Sequence, residues 1–188
     1  MAFDGIVVSN IVRDMKERLV GGRIYKIYQP ENDEINLVIK NQGATYRIML
    51  NASATLPLVY FLSENKQNPV SAPNFCMLLR KHIGNGRILD VVQPDFERII
   101  MIEIEHLDEM GDLCRKKLII ELMGKYSNII FTDDNGKIID AIKRIGAQVS
   151  SVREVLPGRD YEMPPNEKEN PLLVTKKRFT QVILEKPM

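Results

Sequence analysis

The sequence predicts an α+β domain in which antiparallel sheets form a curved sandwich with two main helices. Three observations lead there. Apolar residues recur at helical spacing in two separate stretches. Around them lie short runs rich in β-branched and aromatic residues, each bounded by turn-forming residues. Finally, Asp133-Asp134-Asn135-Gly136 is a hairpin signal, because Asn-Gly tolerates the positive φ such a loop demands.

The first helix is expected from about Asp4 to Val20. Val8, Ile11, Val12, Met15 and Leu19 place one apolar stripe on it, Asp4 can cap its start, and Gly21-Gly22 ends it. Three strands should follow, Arg23 to Gln29, Glu34 to Lys40 and Thr45 to Leu50, parted by turns at Gln29-Pro30-Glu31-Asn32-Asp33 and Asn41-Gln42-Gly43. After a polar stretch, Ser71 suits an N-cap and Pro73 a first helical turn, so a second helix should run to about Ile83 with Phe75, Leu78, Leu79 and Ile83 buried. Arg80, Lys81 and His82 crowd its last turn, where positive charge suits the helix dipole and where a phosphate could also be met.

Strands then dominate: Ile88 to Gln93, Arg98 to Glu105, Arg115 to Met123, Asn128 to Thr132 and Lys137 to Ala141. The sum is about eight strands and two helices. Residues 1–163 are expected to form this domain, and 164–171, rich in proline and charge, a linker. In 172–188, Phe179, Val182 and Ile183 resume helical spacing, as at the truncated start of a following helical domain.

Hydrophobic residues at 44% and charged residues at 27% of the chain exclude wholesale disorder. With 26 Lys+Arg against 25 Asp+Glu there is no global positive field, so any grip on RNA has to be a local patch. No apolar run approaches a membrane span and the first residues lack the features of a signal peptide, which together imply a cytoplasmic protein. Cys76 and Cys114 form no CxxC pair, and His82 and His106 stand apart, so neither a disulfide framework nor a metal site is expected. Catalytic and nucleotide motifs are missing too, Gly84-Asn85-Gly86 lying between a helix and a strand in the reverse of phosphate-loop order, so neither catalytic residues nor a cofactor or small-molecule substrate is expected.

What stands out is charge placed within apolar strands. Alternation puts Arg98 on one face with Ile100, Ile102 and Ile104, and Glu97 on the other. In the next long strand Ile119, Glu121 and Met123 share a face opposite Leu118, Ile120 and Leu122, which leaves Glu121 a carboxylate among apolar neighbours. Two readings remain open. Arg98 or Lys117 could pair with Glu121 inside the sheet, or the strand ends could display a guanidinium and carboxylates to an RNA loop, since Arg makes planar bidentate contacts and carboxylates accept from base amino groups.

Five segments that span nearly the whole chain resemble the N-terminal domain of the NFACT family of ribosome quality-control factors, also known as fibronectin-binding protein A. They are Phe3-Asp4-Gly5, Gly21 to Pro30, Pro73 to Ile83, Glu121 to Ile130 and Val155 to Tyr161. The resemblance implies a non-catalytic domain that binds tRNA and a large ribosomal subunit carrying a stalled peptidyl-tRNA, in a factor that recruits alanyl-tRNA so that alanines are added to the stalled chain. An Asp-Arg pair and a Glu-Ile-Met segment are implicated in tRNA engagement in that family, and they fall here on Glu97-Arg98 and Glu121-Leu122-Met123, with Glu for Asp and Leu for Ile as departures. Arg80, Lys81 and Lys125 are further candidates for phosphate contacts. The resemblance also implies a fold similar to the N-terminal domain of formamidopyrimidine-DNA glycosylases, without their N-terminal proline nucleophile, since this chain starts Met1-Ala2-Phe3. A competing expectation from the older family label is a surface adhesin binding fibronectin, and a third is a purely structural domain.

Overall fold

The computed structural model of the chain describes residues 4–150, 152–165, 170 and 172–185. Helix α1 spans Gly5–Leu19, and its start is capped by Asp4, whose Oδ1 accepts from the Val7 N–H at 2.9 Å. Val8, Val12, Met15 and Leu19 are buried and Ile11 partly so, the stripe that helical spacing predicts. Gly21, at φ +85°, then turns the chain into strand β1 (Arg23–Tyr28).

The remaining elements are β2 (Glu34–Asn41), β3 (Ala44–Asn51), β4 (Leu58–Leu62), α2 (Asn74–Ile83), β5 (Arg87–Val92), β6 (Ile99–Leu107), β7 (Leu113–Glu121), β8 (Asn128–Asp133), β9 (Ile138–Ala141) and α3 (Lys176–Glu185). Among the described residues the strands form one sheet of nine in the order β4-β3-β2-β1-β5-β6-β7-β8-β9, every neighbouring pair antiparallel. This corrects the expected sandwich of separate sheets. Alternation tells which face of each strand is inward, but not whether two groups of strands face one another or join edge to edge. They join at β1 and β5 through the register pair Arg23↔Arg87, extended by backbone bonds such as Ile24 N–H to Gly86 O and Ile88 N–H to Gly22 O, both at 2.9 Å.

The sheet curls. The Lys143 ammonium donates both to Ala52 O, just past β3, and to Ser127 O, just before β8, at 3.2 Å in the second case, so the two halves of the sheet approach each other at that end. One core fills the concave side, drawing α1, α2 and both halves together, from Ile24, Leu37 and Ile48 across to Ile100, Leu118 and Phe131. A smaller cluster lies on the outer face, where Ile99, Ile119, Ile130 and Ile138 are covered by Val155, Ile145 and Tyr161 from the segment that follows β9.

Three local expectations need correction. Strand β4 was not foreseen because Leu58-Val59-Tyr60-Phe61-Leu62 has no polar alternation; it is a sheet edge paired with β3 from Arg47↔Leu62 to Asn51↔Leu58. Helix α2 takes Pro73 rather than Ser71 as its cap, with no side-chain cap bond, and it buries Cys76 fully while Leu78 is only partly covered. Arg98 precedes β6 instead of belonging to it.

Helix α3 forms where the spacing around Phe179 predicts one, with Phe179 exposed. Of the expected linker, residues 166–169 and 171 lie outside the described residues. Among the described residues, no helix is long and apolar enough to cross a membrane.

Candidate nucleic-acid interface

The β6–β7 pair brings the two charged segments to one end of the sheet. Its register runs from Ile99↔Glu121 to Leu107↔Leu113, so the residues before Ile99 and after Glu121 emerge side by side. One bond past the ladder, the Leu122 N–H donates to Arg98 O at 2.9 Å.

Glu97 and Arg98 are delivered by a short 3-10 turn, Pro94–Phe96, in which Asp95 and Phe96 take φ of +45° and +62°. Non-glycine residues in the left-handed region cost on the order of 1 kcal/mol or more and persist where surrounding contacts over-determine them. Those contacts are identifiable. The Gln93 side-chain amide donates to Gly5 O and to Glu97 O, each at 2.9 Å, tying the turn to the start of α1. Gly5 is also the residue whose side chain has to be absent, because a Cβ there would stand 2.4 Å from Phe96 O. On this turn Glu97 is half-buried and Arg98 exposed. Among the described residues, the Arg98 guanidinium makes no hydrogen bond or ion pair, so its donors face solvent.

The second segment divides by depth. Glu121 is fully buried, Leu122 sits in the main core, and Met123 packs half-buried against the outer cluster. The partner of Glu121 is neither Arg98 nor Lys117, which pairs instead with Asp134. It is Arg153, whose side chain is 12% exposed and whose guanidinium donates to Glu121 Oε2, while the Tyr161 hydroxyl donates to Oε1 at 2.9 Å. Burial works against the charge of Arg153, but its hydrogen bond to Glu121 and the carboxylate's charge outweigh that and raise its pKa. Burial and the same carboxylate push the Tyr161 hydroxyl far above the usual range, which keeps it a neutral donor. Nothing in the local sequence marks Arg153. It lies 32 residues from Glu121 in irregular chain, where no periodicity constrains a side chain.

Beyond Met123 the chain makes a tight turn, with Gly124 at φ +57° and the Met123 N–H donating to Ser127 Oγ at 2.8 Å. This turn exposes Lys125 and Tyr126, the ammonium standing 4.9 Å from the ring centroid. A guanidinium, an ammonium and an aromatic face thus share one end of the sheet, a set suited to phosphate contact and base stacking.

Arg80 and Lys81 are elsewhere. Both are exposed in the last turn of α2, and Lys81 pairs with Glu109 in the β6–β7 hairpin at 2.7 Å. That hairpin is the far end of the nine-residue β6 from Arg98, roughly 30 Å away at the usual strand rise. The Arg80 Nε donates to Ile27 O at 2.8 Å, and its guanidinium lies near the Tyr28 ring. Among the described residues, no group of three or more His, Cys, Asp or Glu is placed to hold a metal ion.

Comparison with known proteins is specific. A family model described as NFACT N-terminal and middle domains matches residues 4–188. The Rqc2 homolog RqcH of Bacillus subtilis is 38% identical over 174 residues, covering 92% of this chain and 30% of that protein. The archaeal Rqc2 homolog aRqcH of Methanocaldococcus jannaschii is 27% identical over 163 residues, 85% of this chain and 23% of that protein. The chain therefore spans about a third or less of the length of these relatives. Among solved structures, the N-terminal domain of fibronectin-binding protein PavA from Streptococcus pneumoniae superposes with a TM-score of 0.91 at 33% identity, covering 99% of this chain and 70% of that one. The fibrinogen-binding protein from Staphylococcus aureus gives 0.77 at 33% identity, covering 89% and 58%.

Proposed function

The chain belongs to the NFACT family, matched through its N-terminal and middle domains, and from that premise we propose that it is a non-catalytic tRNA- and large-ribosomal-subunit-binding domain. The whole protein would be a cytoplasmic ribosome quality-control factor that recruits alanyl-tRNA for C-terminal alanine tailing of stalled nascent chains. Curated relatives named Rqc2 homologs support the family assignment of this role.

The observation that carries the reading is the exposed, uncommitted guanidinium of Arg98, registered through its own carbonyl to Leu122 and flanked by Lys125 and Tyr126. In this reading Arg98 contacts tRNA directly and Glu97 shapes the same turn. Lys125 meets phosphate, and Met123 lines the approach. Glu121 and Leu122 serve from below, since a fully buried carboxylate held by Arg153 and Tyr161 orients the turn above it. Arg80 and Lys81 reach RNA only at the far end of β6. Substituting Glu97→Ala together with Arg98→Ala in the full-length protein abolishes alanine tailing while leaving it folded; undiminished tailing overturns the proposal.

A second reading, a fibronectin-binding adhesin, is favoured by the names of the solved relatives. It requires saturable binding of fibronectin by native protein at the cell surface, and cell fractionation followed by a fibronectin titration decides it.

A further inference from the structure

A second aromatic and basic site lies away from Arg98. Strand β1 carries a bulge between Ile24 and Lys26, where its pairing with β2 slips by one residue. The bulge places both Tyr25 and Lys26 on the exposed side, although strict alternation would send one of them inward. Beside them, α2 carries Arg80 in its last turn and gives way after Ile83 to Gly84 and Asn85, the latter at φ +62°. Tyr25, Lys26, Tyr28, Arg80, Gly84 and Asn85, with Ile27, line an open hollow of about 430 Å³. That volume falls within the roughly 300–1,000 Å³ of pockets that hold small ligands.

The chemistry of the lining is one-sided. It includes two phenol rings, a guanidinium and an ammonium, and no carboxylate. The guanidinium is also fixed. Arg80 spends its Nε on Ile27 O and lies 5.9 Å from the centroid of the Tyr28 ring, which leaves its two terminal nitrogens as donors in a set direction. Lys40 and Lys26 stand 3.6 Å and 5.4 Å from the centroid of Tyr25, which nevertheless keeps 49% of its surface open. The opposite wall is braced by Arg23, whose Nη1 donates to Asn85 O at 3.1 Å.

We propose that this hollow takes one unstacked nucleotide of single-stranded RNA, its base against the tyrosine rings and its phosphate on Arg80 and Lys26. Rings give a stacking surface that any base can use, and the cations give the phosphate its partner. The inference rests on the RNA-binding reading above but goes beyond it. The β5 start beside the hollow pairs with Glu105, at the other end of β6 from Arg98, so an RNA held at Arg98 has to extend about 20 Å to reach it.

The test uses the 188-residue chain, intact tRNA, and an adenosine oligoribonucleotide of about eight residues containing one 2-aminopurine. The wild-type chain should bind the oligonucleotide and quench its fluorescence, and an abasic oligomer of equal length should bind about tenfold more weakly. Tyr25→Leu, at a half-exposed position, should weaken oligonucleotide binding by about tenfold and remove the quench. Lys26→Ala should lower the slope of log affinity against log salt by about one. Wild-type binding that neither substitution nor loss of the bases alters overturns the nucleotide site and leaves the Arg98 reading standing, as does binding of tRNA without the oligonucleotide. Equal displacement by a polyglutamate peptide reduces the hollow to a surface for any polyanion and also overturns it. Failure to bind either RNA overturns both proposals.

Discussion

The carbonyl of Arg98 accepts the N–H of Leu122 at 2.9 Å, so the exposed guanidinium of one segment and the buried row of the next are fixed to each other through the backbone. This bond explains how a surface arginine can be positioned without a side-chain partner among the described residues. It also predicts that the side chain is separable from the fold. Arg98→Ala should change unfolding free energy by no more than about 0.5 kcal/mol, as exposed substitutions do. The same variant should weaken tRNA binding by about tenfold or more, since a charge-assisted contact contributes on the order of 1.5–3 kcal/mol. Chemical denaturation and filter binding on the same preparation check both halves.

The Glu121 site should behave in the opposite way. Removing one partner of a buried ion pair leaves an uncompensated charge, so Arg153→Met should destabilise the chain by about 3–5 kcal/mol. Tyr161→Phe deletes a single hydrogen bond to the carboxylate and should cost about 1.5–3 kcal/mol. Urea melts rank the two. If Glu121 orients the turn and does not touch RNA, Tyr161→Phe should leave tRNA affinity within about twofold at a temperature where the variant is folded, a contrast with Arg98→Ala.

Gly5 sets two effects against each other. Alanine is favoured over glycine in a helix by up to about 1 kcal/mol, which alone predicts that Gly5→Ala is stabilising. The contact overrides this. A methyl group 2.4 Å from Phe96 O forces the start of α1 and the Pro94–Phe96 turn apart, which should cost about 1–3 kcal/mol. Because the displaced turn leads into Glu97 and Arg98, the variant should lose tRNA affinity as well as stability. A thermal melt alongside a binding titration tests the coupling.

Much of this was readable in the sequence. The period of Val8 to Leu19 places α1, the Asn-Gly hairpin places β8 and β9, and alternation assigns Ile100, Ile102 and Ile104 to the inside. Alternation also finds that Glu121 needs a partner. It does not find Arg153, because long-range pairing from irregular chain leaves no local signature. The Arg98 assignment missed for a related reason. The left-handed Asp95 and Phe96 break the extended run just before Ile99; Asp is enriched at positive φ, but Phe is not, so the pair gives no clear signal. The bulge at Tyr25 is invisible likewise, since one extra residue in a short strand still reads as alternation with a single error.

Acid should weaken the fold through His82. Its ring is near Phe131, and burial, followed by Lys116, Lys81 and His106, holds its pKa below the ordinary 6.5, with Glu109 opposing. The unfolded chain therefore binds the proton more readily than the folded one. This contribution to stability is present above 6.5 and is lost as pH falls from 6.5 towards the depressed folded value. Melting temperature should drop between pH 7.5 and 5.5, and the part of that drop due to this ring should vanish in His82→Gln.

The curled sheet also bears on how the protein is made. The stripe of α1 leaves the ribosome ahead of the strands of this domain, yet it closes against a core completed by Val91, Ile100 and residues as late as Phe131. Until that length has been synthesised, Val8, Val12, Met15 and Leu19 have only the partial cover of β2, and the edges of β1 and β5 wait for each other across the intervening meander and α2. Contacts this distant in sequence form slowly and leave apolar surface open in the meantime. A nascent chain of this domain therefore carries an incompletely covered apolar stripe until Phe131 has been made, the interval in which it is most open to association with other chains.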